Sequence, residues 1–367
     1  MITKISDKNI MNKKVLVAMS GGVDSSIAAY LLLKDGYDVV GVTMCLGVKS
    51  DNIYESKCCG MSAIEDAKKV ARHLNIPHYV LDFSREMEEF VIRNFVSRYS
   101  IAMTPNPCVE CNKHLKFKKL MDYARQMGFF YLATGHYAAI SEENNNFFLK
   151  RPKDAKKDQT YFLYCVKKEY LKNILFPLAD YTKNEVREIA EKNNIPVAFK
   201  AESQDVCFIP DGTSYKDFVI ARTGAAIEGD IVDLNGKILG RHKGIINYTL
   251  GQRTGLGISA GTPIYVVKID HETNVVIVGG KESLYSKELV AGSLNFLVDN
   301  FPMEVFAKIR YGSKSARASV FIEEDNARAR VVFDEPQLSI TPGQSIVFYD
   351  GDKVVGGGII EKFFPTK

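Results

Sequence analysis

No stretch of this 367-residue chain approaches 18 consecutive apolar residues, so a membrane-spanning helix is not expected. The N-terminal MITKISDKNIMN lacks the apolar run of an export signal, and the expected compartment is the cytoplasm. There is no internal repeat and no low-complexity tract. Charge of either sign is barely in excess: +4 is compatible with RNA binding but does not argue for it, because a local basic face matters more than the total. Cysteine is sparse. Seven residues (Cys45, Cys58, Cys59, Cys108, Cys111, Cys165 and Cys207) in so long a chain are no secreted disulfide framework. In a reducing compartment such residues are buried, catalytic or metal-binding. The remaining composition, 46% hydrophobic and 25% charged, is that of a globular protein, and the length points to two or three domains.

Strand-like and helix-like runs alternate over the first 140 residues. KVLVAMS (14–20), DVVGVTM (38–44), IPHYVLDF (76–83) and FFYLATG (129–135) read as buried strands. Between them VDSSIAAYLLLKDG, AIEDAKKVARHLN, REMEEFVIRNFVSRYS and KHLKFKKLMDYARQMG carry apolar residues at helical spacing. The expected fold is α/β, a doubly wound parallel sheet with ligands at the carboxyl ends of its strands. Beyond about residue 215 short β runs take over, with NG and DG turn pairs that signal hairpins. The expected domains are a catalytic unit over 1–212, a small β-rich middle domain over 213–284 and a C-terminal β-barrel over 285–367.

The most specific string is AMSGGVDSS (18–26), between the first strand and the first helix. Ala18, Met19, Ser20, Gly21, Gly22, Val23, Asp24 and Ser25 place glycines and backbone amides at a helix N-terminus, a cradle for pyrophosphate. No lysine follows, so this is not the G-x-x-x-x-G-K-[ST] loop. Asp24 would face a phosphate only with magnesium between them. A Gly-Gly strand-to-helix turn explains the two glycines alone, but not the whole string. The string resembles the PP-loop of the HUP-like ATP pyrophosphatases, which implies ATP as substrate. Met44, closing the second strand, is either core or an adenine contact. Gly135 in ATGHYA is either a turn or a close approach to the nucleotide.

TPNPCVECN (104–112) holds Cys108 and Cys111 in a C-x-x-C spacing open to zinc, redox, iron–sulfur or nucleophilic readings. ESQDVCFIP (202–210) carries Cys207. Together with KDQTYFLY, LGQRTGLGI and TPGQSIVFYDGDKVVGGGII, these strings resemble, in order and over nearly the whole chain, the tRNA-specific 2-thiouridylases (the MnmA family). The resemblance implies ATP-dependent 2-thiolation of the tRNA wobble uridine, with Cys207 as persulfide carrier, Cys111 as nucleophile and a Cys111–Cys207 disulfide as by-product. It further implies contacts to the target base or tRNA by Asn106, Pro107, Cys108, His136, Lys157, Asp158, Gln159, Arg310, Tyr311 and Gln344. The implied partners are the tRNA anticodon stem-loop, a sulfur-donor protein or relay and a cellular thiol reductant, with no membrane involved.

Many members of that family carry Asp where this chain has Cys108. Cys108, Cys111 and Cys207 then leave two readings open: the persulfide route with Cys108 as a neighbour, or a [4Fe-4S] cluster held by the three thiolates. Lys113, His114 and Lys116 are candidates for the positive charge that thiolates need, or simply a solvated helix face. Cys58 and Cys59 read as a turn or as further ligands, and Cys45 and Cys165 as core. Two other functions compete: a PP-loop synthetase using another nucleophile, and an RNA-binding or sulfur-carrier protein without ATP chemistry.

Overall fold

The computed structural model describes residues 13–47, 61–202, 206–210, 212–224, 227–258, 261–323 and 326–365. Cys58 and Cys59 lie outside the described residues.

β1 (Lys14–Ala18), β2 (Asp38–Cys45), β3 (His78–Asp82) and β4 (Tyr131–Thr134) are laid down in turn. A hairpin, β5 (Ala139–Glu143) and β6 (Asn146–Lys150), then leaves the sheet, and β7 (Ile174–Leu175) rejoins it. The sheet order is β3-β2-β1-β4-β7, parallel throughout. The side chains of β1 show how a parallel strand is buried on both faces. Val15 and Val17 join Ile27 and Leu31 of α1 (Val23–Lys34), Val70 of α2 (Met61–His73) and Val186 of α5 (Lys183–Lys192). Leu16 turns the other way, onto Phe117, Leu120 and Met121 of α4 (107–126). α3 (84–100) and α6 (Tyr215–Thr223) pack beside the end of the sheet that carries β2 and β3.

α4 begins at Pro107, six residues ahead of the expected start at Lys113. Asn106 caps it by accepting the Val109 N–H, and proline suits the first helical position because its missing N–H is not needed there. Cys111–Lys119 is π-helical. In that winding a residue bonds to the fifth along rather than the fourth. Residues five apart therefore come onto one face.

β8 (Gly229–Val232), β9 (Ile238–His242), β10 (Tyr265–Asp270) and β11 (Val275–Gly279) form the middle sheet, in the order β10-β11-β8-β9. The expected NG turn joins β8 to β9, with Asp233 accepting the N–H groups of Asn235 and Lys237. β12 (Tyr285–Phe296), β13 (Glu304–Lys308), β14 (Ala316–Ile322), β15 (Arg328–Leu338), β16 (Ser345–Asp350) and β17 (Lys353–Pro365) follow. They run β12-β15-β14-β13-β16-β17 and close through β12–β17, a six-stranded barrel around Leu289, Val331 and Phe348.

The barrel is fastened to the catalytic unit by buried polar contacts. The Tyr161 hydroxyl donates to the Ser345 carbonyl at 2.8 Å, and the Asn295 amide donates to the carbonyls of Tyr164 and Val166 at 2.6 and 2.9 Å. β6 also touches β17 in one pairing, Lys150 with Lys353. No helix among the described residues is long and apolar enough to cross a membrane.

Candidate active site

A cavity of about 320 Å³ opens at the carboxyl ends of β1, β2 and β4, the edge where doubly wound sheets bind ligands. From the glycine loop come Ala18, Met19, Ser20, Asp24 and Ser25; from the end of β2, Met44; from beyond β4, Gly135 and His136. α4 contributes Pro107, Cys108, Cys111 and Lys116, and the far side is closed by Gln159, Cys207 and Phe208.

The glycine loop is held by its own hydroxyls. Ser25 Oγ accepts the Ser20 N–H at 3.1 Å and donates to the Gly22 carbonyl at 3.2 Å, which Ser26 Oγ also meets at 2.8 Å. No side chain caps α1, and Asp24 and Ser25 of its first turn line the cavity, which suits an anion site. Gly21 has φ +72°, and a Cβ there would lie 2.3 Å from the Ala63 carbonyl oxygen. At Gly135 a Cβ would lie 2.6 Å from the Ser25 backbone nitrogen. The glycine is therefore required by the approach of the β4 end to α1. Val23 is core, and Met44 lines the cavity while packing on two apolar clusters.

Cys111 sits on the same helical face as Cys108, one turn on, and is 6% exposed. Cys108 is open to the cavity. Cys207 is brought opposite by its neighbours Phe208 and Ile209, which are plugged into the apolar cluster of α3, α6, Cys111 and Leu115. Surrounding protein pushes the Cys108 thiol up, the nearby Cys207 adds to this, and Lys116 pulls it down. Of the three candidate cations only Lys116 lines this cavity; Lys113 and His114 line another pocket behind α4. Lys116 lies in the π-helical stretch, five residues from Cys111. Lys116→Met is expected to slow iodoacetamide labelling of the cavity thiols at neutral pH by about tenfold, as for the loss of one neighbouring charge. Site-resolved mass spectrometry would measure it.

Of the five described cysteines, Cys108 is exposed, Cys45 and Cys207 are half-buried, and Cys111 and Cys165 are buried. Among the described residues no three His, Cys, Asp or Glu side chains are grouped as a metal ion requires.

Family models match along the chain: a tRNA methyl transferase HUP domain over residues 13–211, a tRNA methyl transferase PRC-barrel domain over 216–280 and an aminomethyltransferase β-barrel domain over 286–360. The tRNA-specific 2-thiouridylase MnmA 1 of Syntrophus aciditrophicus is 51% identical, across 97% of this chain and 94% of its own. That of Acetivibrio thermocellus is 49% identical, across 95% and 99%. The chain belongs to the tRNA-specific 2-thiouridylase family.

The residues for which the thiouridylase resemblance implies RNA contact fall into two groups. His136 and Gln159 line the cavity with Pro107 and Cys108. His136 hydrogen-bonds Thr134 Oγ1 at 2.7 Å, and burial, aided by Lys116, holds its imidazole well below its ordinary value, hence neutral. Gln159 Oε1 accepts the Tyr137 N–H at 2.9 Å. Tyr311 is 40% exposed and packs on Phe162, with ring centroids 4.6 Å apart.

The second group is engaged inside the protein. Arg310 donates to the Leu338 carbonyl at 2.9 Å, Gln344 to the Thr104 carbonyl at 2.9 Å, and Asn106 caps α4. Lys157 pairs with Glu202 at 2.8 Å. Asp158 is 5% exposed, pairs with Arg151 at 2.9 Å and accepts from the Thr160 N–H and hydroxyl. Asp158→Ala would strand Arg151 against the Tyr349 ring, 3.9 Å away. A loss of about 2 kcal/mol is expected, measurable by urea unfolding, because the charge-assisted hydrogen bonds of a buried carboxylate are lost while Arg151 stays 30% exposed.

Three residues beside the site escaped the sequence reading. Tyr137 donates to Asp24 at 3.0 Å, Lys183 to both Asp24 oxygens at 2.7 and 2.8 Å, and Glu202 accepts from Lys183. Thr182 and Glu185 form a capping box around Lys183, a local signal for a helix start but not for a site.

Proposed function

We propose that the chain is an ATP-dependent tRNA sulfurtransferase that replaces the C2 oxygen of the wobble uridine by sulfur. The observation that carries this reading is one cavity lined by both the glycine loop and the three cysteines Cys108, Cys111 and Cys207. A synthetase with another nucleophile would use the loop and leave the cysteines idle. A non-catalytic carrier would need neither the amide cradle nor Asp24.

The uridine C2 oxygen attacks the α-phosphorus of ATP, pyrophosphate leaves, and the base becomes an O-adenylate. Adenylation turns a poor leaving group into a good one. The first-turn amides of α1 stabilise charge on the phosphates. When ATP is bound with magnesium, the metal neutralises phosphate charge. Asp24, the only carboxylate among the described lining residues, would hold it only by giving up an oxygen that Lys183 now occupies.

The terminal sulfur of a Cys207 persulfide then attacks C2, and AMP departs with the oxygen. The base is left joined to Cys207 through a disulfide. The Cys111 thiolate attacks Cys207 Sγ, the bond to the base's sulfur breaks, and thiouridine is released with a Cys111–Cys207 disulfide. A thiol reductant supplies two electrons to reopen it, and a sulfur-donor protein reloads Cys207. The RNA partner is the anticodon stem-loop, whose unstacked base can enter the cavity.

The test is anaerobic purification with iron and sulfide analysis, followed by tRNA-stimulated ATP–pyrophosphate exchange and tRNA thiolation. An iron-free enzyme that thiolates tRNA and tolerates Cys108→Ala is expected. About four irons per chain, lost together with activity in Cys108→Ala, would replace the persulfide route by a cluster.

A further inference from the structure

Four charged side chains beside the cavity form one run of contacts. The Lys183 ammonium donates to both oxygens of Asp24, at 2.7 and 2.8 Å, and reaches Glu202 at 2.6 Å. The other Glu202 oxygen accepts from Lys157 at 2.8 Å. Two carboxylates and two ammonium groups balance, as they must where Lys183 is only 9% exposed.

Lys183 comes from a firm support. It opens α5 inside the Thr182–Glu185 capping box, and its own N–H donates to Asp154 at 2.9 Å. Glu202 stands five residues ahead of Cys207. Downstream of Cys207, Phe208 is 2% exposed and packs edge-on to Phe95, with ring centroids 5.2 Å apart. Phe208, next to Cys207, is thus anchored by aromatic packing, and Glu202, five residues ahead of Cys207, by ion pairs. Burial pulls the Glu202 carboxyl up, but hydrogen bonds from Lys157 and Lys183 outweigh it and hold it at about 2.

We propose that Glu202 and Lys183 are positioning residues for sulfur transfer: they fasten the upstream end of the Cys207 segment to Asp24 of the glycine loop, and so hold Cys207 at the nucleotide. The proposal rests on the thiolation reading above. Under it Glu202 serves the second half of the reaction, whereas Lys183, which also grips Asp24, serves both halves.

The test uses the full chain with Glu202→Gln, which keeps the shape and removes the charge. Cys207 alkylation by limiting iodoacetamide, resolved by peptide mass spectrometry, is expected to quicken by about tenfold, a factor set by the loss of a charge-assisted hydrogen bond. The buried Cys165 should stay unreactive. Thiolation kcat should fall by a similar factor, with the KM for ATP and tRNA-stimulated ATP–pyrophosphate exchange within about twofold of wild type. Lys157→Met, which removes one of the two holds on Glu202, should fall between. Wild-type alkylation and thiolation in Glu202→Gln would overturn the proposal. So would parallel exposure of Cys165, which would report general loosening. Should the wild-type protein thiolate no tRNA, the functional reading falls, while the Cys207 alkylation comparison still decides the tether.

Discussion

Cys111→Ser is expected to lower tRNA thiolation by at least about 10³-fold, while ATP–pyrophosphate exchange stays within about threefold of wild type. The separation follows from the geometry. Adenylation needs the amides of the first turn of α1 and the loop hydroxyls, none of which depend on Cys111. Serine fits the nearly closed space of a side chain 6% exposed, so the fold is retained. The hydroxyl cannot attack Cys207 Sγ as a thiolate does, and the reaction should halt with the base joined to Cys207. That species is a protein–tRNA adduct released by dithiothreitol and visible as a shifted band on a denaturing gel. Cys207→Ser should lose thiolation equally and form no adduct. An active Cys111→Ser would move the nucleophile elsewhere, with Cys108 next on the same helical face.

The parallel sheet was legible because each of its principal strands is a short apolar run ended by turn residues, and Val15, Leu16 and Val17 are needed on both faces. The glycine loop was legible because its residues are contiguous. The two β-rich regions were legible in outline from their turns, the NG pair at 235–236 in the middle sheet and the DG pair at 350–351 in the barrel. What escaped depends on partners distant in sequence or on an unusual helical pitch. The β5–β6 hairpin has half-polar strands, and its signal lies only in Asn144 and Asn145, both with positive φ. Lys116 could not be chosen over Lys113 and His114, because the three share one short basic stretch and its π-helical winding over Cys111–Lys119 is not written in local spacing. Lys183 meets Asp24 across 159 residues. Nothing local in TKNE announces that contact. Asp158 shows the converse: it belongs to a specific motif, and its carboxylate is spent on Arg151 and Thr160.

Gly135→Ala is expected to weaken ATP binding and adenylation by about 10²-fold, the loss that follows a displacement of about 1 Å in a reacting group's support. A Cβ at this position would stand 2.6 Å from Ser25 N, 2.7 Å from Asp24 C and 2.9 Å from Ser25 Cα. All three are backbone atoms, so no rotamer change relieves the clash, and the first turn of α1 must shift. That turn carries the amides that meet the phosphates and the Asp24 carboxylate that meets Tyr137 and Lys183. The overpacking itself should cost about 1–3 kcal/mol, seen in urea unfolding. Gly128→Ala is the matching control. Gly128 has φ +78° and nothing within 4 Å of the added Cβ, so it should lose about 1 kcal/mol of stability and no ATP affinity. Calorimetric titration with ATP separates the two. A loss of affinity confined to Gly135→Ala places the effect in the cradle, whereas equal losses in both variants would assign it to stability alone and remove Gly135 from the site.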